Sequence, residues 1–255
     1  MNNIVICAAG GSSAVGYALK ALAQRGIHIT EKPEADVTHL LLPAPAFEAD
    51  GRIRGGGILE HILADLSPQI TVIGGNLAHP ALEHYEKIDL LTDGLYLAQN
   101  AAITADCAVR VAARELPVIW DGCPVLILGW GRIGKCLAAQ LKAAGATVTV
   151  AARKASDREM LRALGYSAER PDGLRHGLAA YRVLFNTVPT VVLGAEQLRY
   201  CRKDCLKIEL ASSPGLSGSD VIPALGLPGK MAPESSGLLM AQSIIRLIAE
   251  KEALK

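Results

Sequence analysis

The sequence predicts an α/β protein built on two parallel sheets, and three observations carry that expectation. Half of the 255 residues are hydrophobic, enough for sizeable cores in one or two domains. Residues 1 to about 93 alternate short apolar runs with helical segments, the pattern of a parallel sheet with helices on both faces. Further on, the apolar run Val125-Leu126-Ile127-Leu128 leads straight into Gly129-Trp130-Gly131-Arg132-Ile133-Gly134, with helical spacing from Lys135 to Ala144 and a second strand from Thr147 to Ala152.

Asn3 to Ala8 is the first expected strand, Gly10-Gly11-Ser12-Ser13 a turn, and Ala14 to Gln24 a helix ended by Gly26. Ile27 to Thr30 makes a short strand. Val37 to Leu42 is continuously apolar, as suits a parallel strand covered on both faces. Pro43, Pro45, Gly51 and Gly55 to Gly57 mark a long loop. Ile58 to Leu66 reads as a helix and Ile70 to Ile73 as a strand. Pro80 opens a short helix, and Ile88 to Leu91 is a further strand. Tyr96 to Leu116 is mostly Ala, Val and Leu and reads as a long connecting helix closed by Pro117. Arg182 to Asn186 and Leu206 to Leu210 are strands, followed by turns at Thr187-Val188-Pro189 and Ala211 to Gly215. Pro233 to Gly237 precedes an apolar helix from Leu238 to Ala249, with Ser235 or Ser236 placed to cap it.

The glycine stretch is the dinucleotide fingerprint in its strand–turn–helix setting, which makes the units Rossmann-like. Gly129 permits the tight turn, Gly131 lets a pyrophosphate approach the backbone, and Gly134 lets the helix pack on the strand. The helix start then offers free N–H groups and a positive dipole end to phosphates. Trp130, Arg132 and Ile133 complete that turn. Asn186 to Pro189, Glu209 and Ala211 lie at carboxyl ends of later strands, where open α/β sheets bind ligands. A glycine turn that binds nothing is the alternative.

An NAD-binding chain places an acid at the end of the second strand to hold the ribose hydroxyls. Here that strand ends Ala152-Arg153-Lys154-Ala155-Ser156. Two cations and a hydroxyl suit a 2′-phosphate, so NADP is the expected cofactor and NAD the alternative. Two solvated charges on a loop are the competing reading of Arg153 and Lys154.

Charge is balanced, with 26 basic and 25 acidic residues, which gives no electrostatic case for nucleic acid or an anionic membrane. The start, Met-Asn-Asn-Ile-Val-Ile, lacks the basic-then-apolar order of a signal peptide, and no apolar run reaches the length of a membrane span. The six cysteines form no Cys-x-x-Cys, and the six histidines show no ligand spacing, so reduced structural thiols and no metal are expected. Cys201 and Cys205 have the spacing to share a helix face.

The chain resembles the dipicolinate synthase A-subunit family. Besides the fingerprint, the resemblance rests on Tyr96-Leu-Ala-Gln-Asn-Ala-Ala-Ile-Thr104, Phe185-Asn-Thr-Val-Pro189, Ile208-Glu-Leu-Ala-Ser212 and Leu227-Pro-Gly-Lys-Met-Ala-Pro-Glu-Ser-Ser236. It is weaker before residue 95. At the first turn the family reads Gly-Gly-Asp and a basic residue, whereas this chain has Gly10-Gly11-Ser12-Ser13. More distantly the architecture is similar to 2-hydroxyacid dehydrogenases, whose C-terminal helix returns to the first domain. That places residues 1–95 with 233–255 in a substrate-side domain, 96–116 in the connecting helix and 117–232 in the nucleotide domain, with a cleft between the domains.

The resemblance implies a cytoplasmic oxidoreductase of sporulating bacteria, working in the mother cell. Its reaction is the NAD(P)-dependent oxidation of dihydrodipicolinate, from the lysine pathway, to pyridine-2,6-dicarboxylate. It also implies as partner a second, flavoprotein-like subunit of dipicolinate synthase, while homo-oligomerisation stays open. Aromatisation favours the forward direction, so no strong general base is required, and no catalytic residue is assigned. Candidates to hold the two substrate carboxylates are Ser12, Ser13, Asn100, Thr104, Lys230 and Ser235. Asn100 and Thr104 share a helix face by their i, i+4 spacing. Ser12 and Ser13 are equally suited to helix capping. An NADP-linked dehydrogenase of another small dicarboxylate, and a non-catalytic NADP-binding sensor or scaffold, are the competing functions.

Overall fold

The computed structural model describes residues 4–253, with Arg175 and His176 described by their backbone alone. Asn3, expected in the first strand, and residues 254 and 255, expected at the end of the C-terminal segment 233–255, lie outside the described residues. The chain forms two compact units, residues 1–100 with 228–255, and residues 101–227.

The first unit contains β1 (Val5–Ala8), α1 (Ser13–Ala23), β2 (His28–Thr30), β3 (His39–Leu41), α2 (Leu59–Ala64), β4 (Thr71–Gly74) and β5 (Glu86–Asp89). Its strands are all parallel in the order β2-β1-β3-β4-β5. The chain leaves β1 to one side and returns on the other, so the order reverses between β1 and β3. Ile6, Leu40, Leu41, Val72 and Ile73 are fully buried, as strands covered on both faces require.

The last strand of this sheet lies two residues earlier than the apolar run Ile88 to Leu91 indicates. The cause is Asp89, whose carboxyl oxygens accept the backbone N–H groups of Asn76 (3.1 Å), Leu77 (2.9 Å) and Leu91 (2.9 Å). A side chain that gathers three backbone donors turns the chain at that point.

Helix α3 (Gly94–Glu115) follows, with the Asp93 carboxylate accepting from Tyr96 N at its start (2.7 Å). Burial pushes the Tyr96 phenol up to about 12. The C-terminal helix α8 (Pro233–Ala253) packs along α1. It starts at Pro233, a residue suited to the first helical position. Ser235 and Ser236 therefore lie in its first turn instead of capping it, and Ser236 N already donates to Ala232 O (3.0 Å). At Gly237 a Cβ would lie 2.5 Å from Ala14 O and from Tyr17 Cβ, so only glycine permits this helix contact. Arg246 pairs with Asp93, and Lys251 with Glu86, which fixes α8 to the β5–α3 corner.

The second unit contains β6 (Pro124–Leu128), α4 (Arg132–Ala143), β7 (Thr147–Ala151), α5 (Ala155–Ala163), β8 (Ser167–Glu169), β9 (Val183–Asn186), α6 (Ala195–Leu198), β10 (Leu206–Glu209) and β11 (Val221–Pro223). The short α7 (Leu227–Met231) leads back to the first unit. All six strands are parallel, in the order β11-β10-β9-β6-β7-β8. This order reverses between β6 and β9. Val125 to Leu128, Val183 to Phe185 and Ile208 are buried at its centre.

Candidate functional site

A cavity of about 820 Å³ opens beyond the carboxyl ends of β6 and β9. Its walls are Gly129 to Gly131, Ala151 to Lys154, Asp157, Pro171-Asp172 and Thr187 to Val192. Gly129 has φ +102°, and a Cβ there would lie 2.5 Å from Thr187 Oγ1. Gly134 meets Gly129 O at 2.3 Å from its imagined Cβ, which is the close strand–helix packing expected of the third glycine. At Gly131 nothing lies within 4 Å, so this is where the turn has room for a ligand.

Helix α4 begins at Arg132, three residues before the expected Lys135, with Gly131 as its cap. Arg132, Ile133 and Gly134 thus form its first turn and do not line the cavity with side chains. No side chain caps this helix start and no acid stands in its first turn. Its N–H groups have no partner within the helix, and the dipole favours an anion there.

Arg153 and Lys154 are exposed and line the cavity, as their place at the end of β7 suggests. Ser156 does not line it; it is exposed in the first turn of α5. No acid stands at the end of β7 itself, but two reach the cavity from further along the chain. Helix α5 brings Asp157 to the wall, and the turn starting at Pro171 brings Asp172. Asp172 pairs with Arg170 (2.6 Å), whose hydrogen bond holds its carboxyl below the usual range.

Asn186, Glu209 and Ala211 are buried and do not line the cavity. Asn186 Nδ2 donates to Glu209 Oε1 (2.7 Å) and Val188 O (3.0 Å), and Val188 N donates to Asn186 Oδ1 (3.2 Å). Glu209 also accepts from Ala211 N (2.9 Å), Gly215 N (2.8 Å) and Leu216 N (3.0 Å). These bonds tie the loops after β9 and β10 together. Thr187 Oγ1 donates to Leu128 O (2.9 Å) and ties the β9 loop to the end of β6. Trp130 lies edge-on to Tyr166, with ring centroids 5.9 Å apart, and Lys135 Nζ stands 5.8 Å above the Trp130 ring.

None of the six carboxylate-holding candidates lines this cavity. Ser12 caps α1 by accepting from Val15 N (3.2 Å), while Ser13 is exposed in the first turn. Asn100 is half-buried and Thr104 buried on α3; Lys230 on α7 and Ser235 on α8 are exposed. Cys201 and Cys205 share no helix, since α6 ends at Leu198, and the Cys205 thiol donates to Leu206 O (3.7 Å). Burial pushes the Cys7, Cys107 and Cys123 thiols up, as for unreactive structural groups. No metal-holding group of His, Cys, Asp or Glu occurs among the described residues. Among these residues, too, no helix is long and apolar enough to cross a membrane.

Counted within the second unit, the strand order is 3-2-1-4-5-6, with a glycine turn at the reversal and a cavity beyond it. Those features define a Rossmann-type fold with a nucleotide-sized site. The chain is similar in sequence and in fold to the A-subunit of dipicolinate synthase. It is 25% identical over 245 residues to that protein from Bacillus subtilis (strain 168), covering 89% of this chain and 82% of the relative. The crystal structure of the Bacillus subtilis protein superposes with a TM-score of 0.85 at 21% identity, covering 100% of this chain and 99% of that one. The corresponding protein from Bacillus halodurans gives 0.83 at 20% identity, covering 97% and 99%. A D-isomer specific 2-hydroxyacid dehydrogenase from Xanthobacter autotrophicus Py2 shares the fold at a TM-score of 0.56 and 16% identity, covering 97% of each chain. No protein-family model matches the chain.

Proposed function

We propose that the chain is an NADP-linked oxidoreductase of the dipicolinate synthase type, oxidising dihydrodipicolinate to pyridine-2,6-dicarboxylate. The observation that carries the nucleotide part is the open face of Gly131, at a helix start without side-chain cap or acid, in a cavity that also presents Arg153 and Lys154. The substrate part rests on the sequence similarity to dipicolinate synthase.

The residues fit a dinucleotide. The turn from Gly129 to Gly131 and the first N–H groups of α4 are suited to hold the pyrophosphate. Arg153 and Lys154 are suited to the 2′-phosphate, the first as a fork and the second as a point charge. Thr187 to Pro189 lines the same cavity beside the glycine turn and is suited to the nicotinamide ribose. When bound, the nicotinamide supplies the hydride acceptor. What remains for the protein is to orient the dihydropyridine, hold two carboxylates and let one proton leave. Ser13, Lys230 and Ser235 have the exposure to take part, and Asn100 and Thr104 the polarity. Asp157 on the cavity wall favours NAD as the second reading, since a carboxylate suits a free ribose hydroxyl. The expected partner is the flavoprotein-like second subunit of dipicolinate synthase.

Ultraviolet absorbance during incubation with the lysine-pathway precursor and NADP or NAD, with and without that partner, tests this reading. Pyridine dicarboxylate formed with NADP supports it. Nucleotide binding without turnover under any of these conditions points to a sensor or scaffold.

A further inference from the structure

Arg158 stands one residue beyond Asp157 on α5, yet its guanidinium turns back to the end of β7. Its Nη1 donates to Ala152 O (2.8 Å) and to Arg153 O (2.7 Å). The same two residues lead into the cavity wall that carries Arg153 and Lys154. We propose that Arg158 is a positioning residue that makes the site select a nucleotide with a phosphate on its adenosine ribose. This rests on the nucleotide reading of the cavity.

The latch acts in two ways. It fixes the backbone from which the Arg153 side chain starts, so that the guanidinium of Arg153 loses less freedom when it engages an anion. It also engages two carbonyl oxygens at the strand end, which are acceptors that a free 2′-hydroxyl needs and a phosphate does not. Arg158 adds a third cation to one turn. Against these stand Asp157 and Asp172, and Asp172 is matched by Arg170. The local balance favours a dianion over a hydroxyl. Asp157 is the opposing element, the carboxylate that a free ribose would use.

The test uses two probes that differ at the 2′ position, adenosine 2′,5′-bisphosphate and adenosine 5′-monophosphate, titrated by calorimetry into the full chain. The unmodified protein is expected to prefer the bisphosphate. Arg158→Met should weaken the bisphosphate about tenfold, as for loss of one charge-assisted contact. It should leave the monophosphate within about twofold. Arg158→Lys should fall between, because an ammonium reaches the carbonyls as a point and not as a fork. Equal weakening of both probes by Arg158→Met, or no weakening, overturns the proposal. If Arg158→Met does not fold, Arg158→Lys decides, and an unchanged ratio of the two affinities overturns it. Unmodified protein that binds both probes equally keeps the site but overturns the selection. Binding of neither probe overturns the nucleotide reading itself.

Discussion

The two units place the same device in the same position and use it differently. Each starts its sheet with a strand, a glycine turn and a helix, and each has its strand order reverse beside that turn. In the first unit the space over the turn is filled by the protein's own backbone. A Cβ on Gly10 would lie 2.5 Å from Arg54 O, and one on Gly55 would lie 2.2 Å from Gly11 N and O. In the second unit Gly131 faces open space, and a cavity follows. The difference comes from the loop after β3, which folds back over the first turn; the loop after β7 is short and passes directly into α5. A glycine turn at a switch point therefore signals room for a ligand only where no neighbouring loop takes it.

The largest effect expected from this contrast is on stability. Gly55 has φ +82° as well as its close backbone neighbour, so Gly55→Ala should cost about 3–5 kcal/mol, combining strain and overpacking. Calorimetry should show an early transition while nucleotide binding by the intact second unit persists. An unshifted transition breaks the comparison on the first unit's side. Next comes Glu209→Ala, which leaves three backbone N–H groups without their acceptor and Asn186 Nδ2 with Val188 O alone. A loss of about 2–4 kcal/mol is expected, with weaker nucleotide binding as the loops relax. If urea melts show less than half of that, the hub role assigned to Glu209 is wrong.

Gly131→Ala separates binding from folding. Its φ of −79° suits alanine and its Cβ meets nothing, so stability should change by less than about 1 kcal/mol. Nucleotide affinity should fall about a hundredfold, or about 2.7 kcal/mol. Unchanged affinity in titration calorimetry removes the fingerprint assignment.

The smallest effect is a pH slope confined to the first unit. Burial holds the His39 imidazole below its ordinary value. Folded protein then binds fewer protons at this site than unfolded protein. The contribution is complete above the unfolded value of about 6.5 and is lost as pH falls through the lower folded value. His39→Gln should flatten the fall in urea midpoint between about pH 7 and 5. An identical fall in both proteins assigns the slope to other groups.

The fold is largely legible in the sequence because both units follow one grammar of buried strand, turn and helix. The missing pieces have weak signals. Ser167-Ala-Glu169 and Val221-Ile-Pro223 are too short for a period to show, and they become strands by pairing at sheet edges. In the site, the glycine turn and the cations at the end of β7 can be read because the motif fixes their geometry. Asn186 and Glu209 cannot. A strand's carboxyl end places a residue near the cavity, but the direction of its side chain depends on which loop has unpaired N–H groups to satisfy. Asp157 and Asp172 reach the cavity through α5 and a later turn, a proximity that sequence spacing does not contain. Ser235 has the look of a cap in the sequence, yet Pro233, and not the first apolar residue, sets the helix start.

The contact at Gly237 bears on the order in which the molecule can be made. Residues 101–227 are contiguous, and a growing chain that has emerged to Leu227 contains the entire second unit. At that moment α1 still presents the face around Ala14, Tyr17 and Ala18 without the helix whose Gly237 packs there, because that partner lies within residues 228–255. The unit begun first is thus completed last, and its early strands must wait on the ribosome with an apolar helix face uncovered.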